Sequence, residues 1–140
     1  MASSAQEAVE NADVIVTATT ANTPLLKFDW IKKGCLVISL GMGQELDPGL
    51  VCQSNKIIVD DIELCRTIGD IAYLMNQGFL KEDQIYANLY EILTGIKKGR
   101  ENRGETIVVV SQGMIGGDIA LINHVYENAL EKGCGKILEL

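Results

Sequence analysis

The feature that most constrains this chain is a series of short, continuous apolar runs that close on small or hydroxyl-bearing residues. They are Asp13-Val14-Ile15-Val16-Thr17-Ala18-Thr19, Cys35-Leu36-Val37-Ile38-Ser39-Leu40-Gly41, Lys56-Ile57-Ile58-Val59-Asp60-Asp61 and Thr106-Ile107-Val108-Val109-Val110-Ser111. A strand with one wet face alternates apolar and polar residues, whereas a run without alternation belongs to a strand covered on both faces. Four such strands separated by helical patterns predict a parallel sheet in an α/β fold.

The segments between the runs supply the helices. Ser4 and Glu7 have capping-box spacing, predicting a helix over about 5–11. Residues 25–31 read as a short helical segment closed by Gly34, and Asp47-Pro48 predicts a helix over 48–53. From Asp61 to Gly78, Leu64, Cys65, Ile68, Ile71, Ala72 and Met75 recur at helical spacing, with Glu63, Arg66 and Asp70 on the other side. A further helix is expected over 81–94, with Tyr86 and Tyr90 on one face, then a surface loop over 96–105 and a last helix over 118–132.

Composition narrows the function classes. The 140 residues fit one domain, and a net charge of −7 without a basic block argues against nucleic acid or an anionic membrane surface. Lys97-Lys98-Gly99-Arg100 reads as a short solvated turn. No apolar stretch approaches the ~20 residues of a membrane span, and the N-terminus lacks the basic-then-apolar order of a signal peptide. The four cysteines have neither C-x-x-C spacing nor a paired histidine, so no metal site is expected. Cys35 and Cys65 read as buried, reduced thiols, implying a cytoplasmic setting.

Open parallel sheets bind ligands at the carboxyl ends of their strands. Three such ends are small or polar here: Thr17-Ala18-Thr19-Thr20, Ser39-Leu40-Gly41-Met42-Gly43 and Ser111-Gln112-Gly113. They would let a flat cofactor ring approach the backbone and offer hydroxyls to ribose or carboxamide. Ordinary strand-to-helix turns have the same composition, which leaves that alternative open. No Gly-x-Gly-x-x-Gly turn precedes the strands, and Gly41-x-Gly43 is followed by Leu46 where a third glycine would stand. The chain therefore reads as the second half of a dinucleotide-binding domain, a partial Rossmann-type parallel sheet with flanking helices. Its first strand, 13–18, would be a bare apolar edge, expected to be covered by another polypeptide or a second copy. Adjacent strand residues point to opposite faces, so Asp60 and Asp61 are read as a cleft-rim residue and a helix cap. His124 has no nucleophile placed beside it.

The series of short motifs resembles the ornithine cyclodeaminase/mu-crystallin family. It runs through Ala12–Thr19, Pro24-Leu25-Leu26, Trp30, Gln44-Glu45-Leu46-Asp47-Pro48, Val59-Asp60-Asp61 and Gly69-Asp70. It continues through Leu93-Thr94-Gly95, Gly99-Arg100, Glu105-Thr106-Ile107, Ser111-x-Gly113, Asp118-x-Ala120 and Val125-Tyr126-Glu127. The resemblance implies NAD or NADP as cofactor and hydride transfer to or from the carbon bearing an amino or imino group of a small amino or imino acid. It places Thr17, Ala18 and Thr19 along the cofactor ribose, Gly41 and Met42 near the nicotinamide, and Ser111 and Gly113 over that ring. Residues 1–115 would be the partial nucleotide domain, and 116–140 a helix and tail packing on a substrate domain or partner.

Two departures from the family pattern stand out. Its members run to over twice this length, roughly two domains' worth, and their N-terminal part carries the substrate domain and glycine-rich turn. Cyclodeaminases also carry an acid after the glycine matching Gly41, where this chain has Met42. The resemblance thus points to the reductase, alanine dehydrogenase or siderophore-type branches, and assigns no catalytic residue here. The expected partner is a complementary subunit or N-terminal half carrying the glycine-rich turn, or a second copy. The other reading is a non-catalytic half-domain serving as scaffold or regulatory subunit.

Overall fold

The computed structural model describes residues 2–136 and 138. Its centre is a five-stranded, wholly parallel sheet of order β1-β2-β5-β3-β4. The strands are β1 (Val14–Thr17), β2 (Leu36–Ser39), β3 (Lys56–Val59), β4 (Ala87–Asn88) and β5 (Ile107–Val110). The helices are α1 (Ala5–Val9), α2 (Pro48–Gln53), α3 (Ile62–Cys65), α4 (Gly69–Asn76), α5 (Leu89–Leu93) and α6 (Ile115–Glu131). Residues 28–30 and 82–84 form single 3₁₀ turns.

Sequence chemistry accounts for most of the boundaries. Asp47 accepts from the Gly49 N–H and Pro48 opens α2, so that helix falls where expected. Asp61 accepts from the Glu63 and Leu64 N–H groups and caps α3, as read from the sequence. Val37, Val59, Val108 and Val110 on the central strands pack with Leu46, Leu50, Ile71 and Leu74 to form the core.

Four expectations are corrected. The helix expected from Asp61 to Gly78 is broken at residues 66–68, because Ile68 is extended and Gly69 takes φ +73°. The break turns Asp70, expected on the solvent side, into the core. The helix expected over 81–94 is instead a 3₁₀ turn, the fifth strand β4 and the short α5. There the Tyr86 N–H donates to the Ile57 carbonyl, so pairing with the edge of β3 overrides the helical period. Tyr86 and Tyr90 consequently share no helix face. Residues 25–31 hold only the 3₁₀ turn, because Leu26 instead bridges Leu46. The basic turn is only partly solvated: Lys97 donates to the Tyr86 carbonyl and Arg100 to that of Glu105.

Strand β1 is the sheet edge, paired only with β2. Expected to be covered on both faces, it is covered on one: Ile15 and Thr17 are buried, while Val14 and Val16 are 54% and 56% exposed. At the other end of the chain, Ile115, Ile119, Ile122, Tyr126 and Leu130 of α6 are all exposed. Among the described residues no helix is long and apolar enough to cross a membrane.

Candidate functional site

Every strand being parallel, all five carboxyl ends meet on one side of the sheet. A groove of about 420 Å³ crosses the ends of β1 and β2, lined by Ala18, Thr19, Thr20, Asn22, Leu40, Gly41, Met42 and Gly43. The two loops forming its walls are zipped together by backbone. The Gln44 N–H donates to the Ala21 carbonyl at 2.9 Å, and the Leu25 N–H to the Glu45 carbonyl at 2.8 Å. Gly43 has no room for a side chain, since a Cβ there would lie 2.0 Å from the Ala21 carbonyl oxygen.

Beneath the groove lie two fully buried carboxyl groups, Glu45 and Asp70. Glu45 Oε1 accepts from the Thr19 N–H at 2.6 Å, and Oε2 from the Gly41 N–H at 3.0 Å. Asp70 Oδ1 accepts from the Glu45 and Leu46 N–H groups at 2.9 and 3.0 Å. The Ser39 hydroxyl sits between the acids, 3.1 Å from Glu45 Oε2 and 2.8 Å from Asp70 Oδ2. A hydroxyl carries one proton and cannot donate to both. Burial pushes the Asp70 carboxyl above the ordinary aspartate value, more strongly than the Leu46, Ser39 and Glu45 hydrogen bonds lower it. Burial pushes Glu45 up too, but the Thr17, Thr19 and Ser39 hydroxyls and the Thr19 N–H together bring it below the ordinary value. The Ser39 hydroxyl is within donating distance of both acids, and burial favours a proton on Asp70 while the donors around Glu45 favour its charge.

A third acid holds the end of β5. Asp60 Oδ2 accepts from the Ser111 hydroxyl at 2.9 Å and the Gly113 N–H at 2.8 Å, while Oδ1 accepts from the Asp61 N–H at 2.8 Å. The expectation of a rim residue is corrected here: Asp60 is buried and acts as a brace. Cys65 Sγ lies 3.4 Å from Asp60, and burial with that neighbouring acid pushes its thiol up to about 12. Gln112 reaches back so that its Nε2 donates to the Gly41 carbonyl at 3.2 Å, filling the space where a side chain at Gly69 would stand.

Of the residues singled out in the sequence, Ala18, Thr19, Gly41 and Met42 come together in the groove. Thr17 stands just below, its hydroxyl buried and without a hydrogen bond although close enough to Glu45 to favour its charge. Ser111 and Gly113 lie beside the groove rather than in its lining, joined to β2 by the Ser111 N–H donating to the Ser39 carbonyl. His124 is on the exposed α6, against Asn128. Among the described residues no group of three or more His, Cys, Asp or Glu is placed to hold a metal ion. Sequence reasoning missed Glu45, Asp70 and Gln112. A signal for Glu45 existed, an acid between Gln44 and Leu46 with no basic residue nearby in sequence.

The chain matches the family model for the ornithine cyclodeaminase/mu-crystallin family over residues 1–133. It is 33% identical over 133 residues to an alanine dehydrogenase of Archaeoglobus fulgidus, covering 92% of this chain and 41% of that protein. It is 36% identical over 138 residues to a Delta(1)-pyrroline-2-carboxylate reductase of Bacillus cereus, covering 95% and 42%. The chain thus spans about two fifths of the length of these relatives, within their C-terminal portion. Among solved structures, it superposes with TM-score 0.91 on the Thermococcus litoralis Delta(1)-pyrroline-2-carboxylate reductase in complex with NADH and L-proline. That match has 38% identity and covers 96% of this chain and 43% of the other. The iminosuccinate reductase of Paracoccus denitrificans in complex with NAD+ superposes with TM-score 0.85 at 28% identity, covering 97% and 42%. With the motif series, the parallel sheet and the groove agreeing, the chain belongs to the ornithine cyclodeaminase/mu-crystallin family.

Proposed function

We propose that this chain forms the cofactor-facing half of the nucleotide-binding domain in an NAD(P)-dependent oxidoreductase acting on a small amino or imino acid. The observation that carries the reading is the groove across the ends of β1 and β2, in a fold that superposes closely on an NADH-bound reductase. Its residues fit such a group. Gly41 and Gly43 keep the walls free of side chains, and the buried Thr17 hydroxyl lacks a partner. The nicotinamide, when bound, supplies or takes the hydride. The chain's own residues bind and orient it. Ala18, Thr19 and Thr20 present backbone and hydroxyls to ribose, Gly41 and Met42 stand near the nicotinamide, and Ser111 and Gly113, held by Asp60, border the ring.

The remaining binding surface must be completed from outside the described sheet. The free edge of β1, with Val14 and Val16 exposed, and the apolar stripe of α6 are the two surfaces that a further polypeptide would cover. Of the segment 116–140, residues 116–136 then pack on a substrate domain or partner; residues 137, 139 and 140 lie outside the described residues. The four cysteines are unpaired, which supports a cytoplasmic setting.

NADH fluorescence, titrated against the chain alone and with any polypeptide that co-purifies, tests the reading. Saturable binding is expected, weak for the chain alone. No response in either preparation would refute the enzyme reading and favour a non-catalytic scaffold.

A further inference from the structure

We propose that Glu45 is the positioning residue of the groove, its carboxylate fixing the ends of β1 and β2 in the spacing that receives the cofactor; this rests on the proposed function. Glu45 lies on neither strand. It stands under both, fully buried, with one oxygen on the Thr19 N–H and the other on the Gly41 N–H. Both amides belong to residues that line the groove. Among the described residues, the carboxylate is therefore the one side chain that ties the two walls together from below.

Three observations make the tie rigid. The Glu45 backbone is itself held, its N–H donating to Asp70 and its carbonyl accepting from Leu25 and Leu26. A side chain at Gly41 would have to displace the acid, because a Cβ there would lie 2.3 Å from the Glu45 carboxylate carbon. This glycine is required by the buried acid, independently of any approach by a ligand. Third, no lysine or arginine pairs with Glu45 among the described residues. An unpaired buried carboxylate is costly unless every acceptor edge is used. Both edges here meet N–H donors, and only a carboxylate offers acceptors on both sides. Glutamine would offer an acceptor to one wall and a donor to the other.

The test compares Glu45→Gln with Thr106→Val. The buried Thr106 hydroxyl accepts from the Gly34 N–H at the amino end of the sheet, away from the groove. Both changes should lower Tm. Glu45→Gln should also weaken NADH binding at least about tenfold and speed hydrogen exchange at Thr19 or Gly41, whereas Thr106→Val should leave affinity and both amides unchanged. Unchanged NADH affinity in a folded Glu45→Gln protein would overturn the proposal and leave Glu45 a structural residue. Should that variant not fold, exchange in the wild-type chain decides, because Thr19 and Gly41 amides that exchange like free loop amides would overturn the tie. Failure of the wild type to bind NADH in any preparation overturns the proposed function instead, with the amide data still reporting on Glu45.

Discussion

Replacing Asp70 by asparagine separates the two buried acids, because it removes one titrating group without removing the hydrogen-bonding shape. The new amide would keep both acceptor contacts through its carbonyl oxygen, to the Glu45 and Leu46 N–H groups, and offer an N–H to the Ser39 oxygen as a protonated Asp70 would. The expected cost is about 1–2 kcal/mol, since the native contacts are kept while the second amide N–H is left without a partner. Asp70→Ala would instead strand two buried N–H groups at about 1–3 kcal/mol each and open a small cavity, roughly 3–6 kcal/mol together. The pH dependence carries the sign. Burial raises the folded Asp70 value above its ordinary 3.8, so its contribution is complete below that value and is lost as pH rises through the folded value. Urea denaturation of wild type and Asp70→Asn between about pH 4 and about pH 8 measures it. The wild type should lose stability relative to the variant as pH rises, then run parallel to it. A variant destabilised by about 3 kcal/mol or more at neutral pH would mean that Asp70 serves as an ionised anchor, against the direction in which burial moves it.

Glu45, held below its ordinary 4.5, behaves in the opposite sense: its stabilisation is present above that value and lost as pH falls through the folded one, so Glu45→Gln should flatten the acid limb of the same curves. Gly41→Ala should cost about 1–3 kcal/mol by thermal melting, and its cost should shrink in a Glu45→Ala background because the clashing carboxylate is gone. Iodoacetamide at mildly alkaline pH should label the exposed Cys52 and Cys134 but not Cys35 or Cys65, as mass spectrometry of the folded chain will show. Ile122→Lys, on the exposed stripe of α6, should change stability by no more than about 0.5 kcal/mol yet reduce self-association in sedimentation, if that face is meant for a partner.

How much of this was legible in the sequence follows from where the information lies. The four apolar runs, the Asp47 and Asp61 caps and the strand-end residues are local patterns, and the structure places them where chain order implied. What the sequence hid depends on distant contacts. Ala87-Asn88 becomes a strand only because β3 offers it an edge. Asp70 sits on the polar side of a helical wheel that does not exist, since the helix breaks at residues 66–68. The fold class was readable from the apolar runs and the family from the resemblance of the motif series, whereas the bracing of the rim was not.

The hidden part explains the visible part. The small residues at the strand ends suggested a surface open to a flat ligand, and smallness alone does not keep a loop in place. Here each rim loop is fixed from beneath by a carboxylate: Glu45 for the ends of β1 and β2, Asp70 for the segment carrying Glu45, and Asp60 for the end of β5. Because the acceptors lie under the loops, the loops need no bulk of their own, and the upper face stays clear. The same arrangement accounts for a glycine such as Gly41 without reference to a cofactor, since the acid below already excludes a side chain there. Pre-set walls lower the ordering cost of binding, so a groove braced in this way can bind only as well as its carboxylates remain in register.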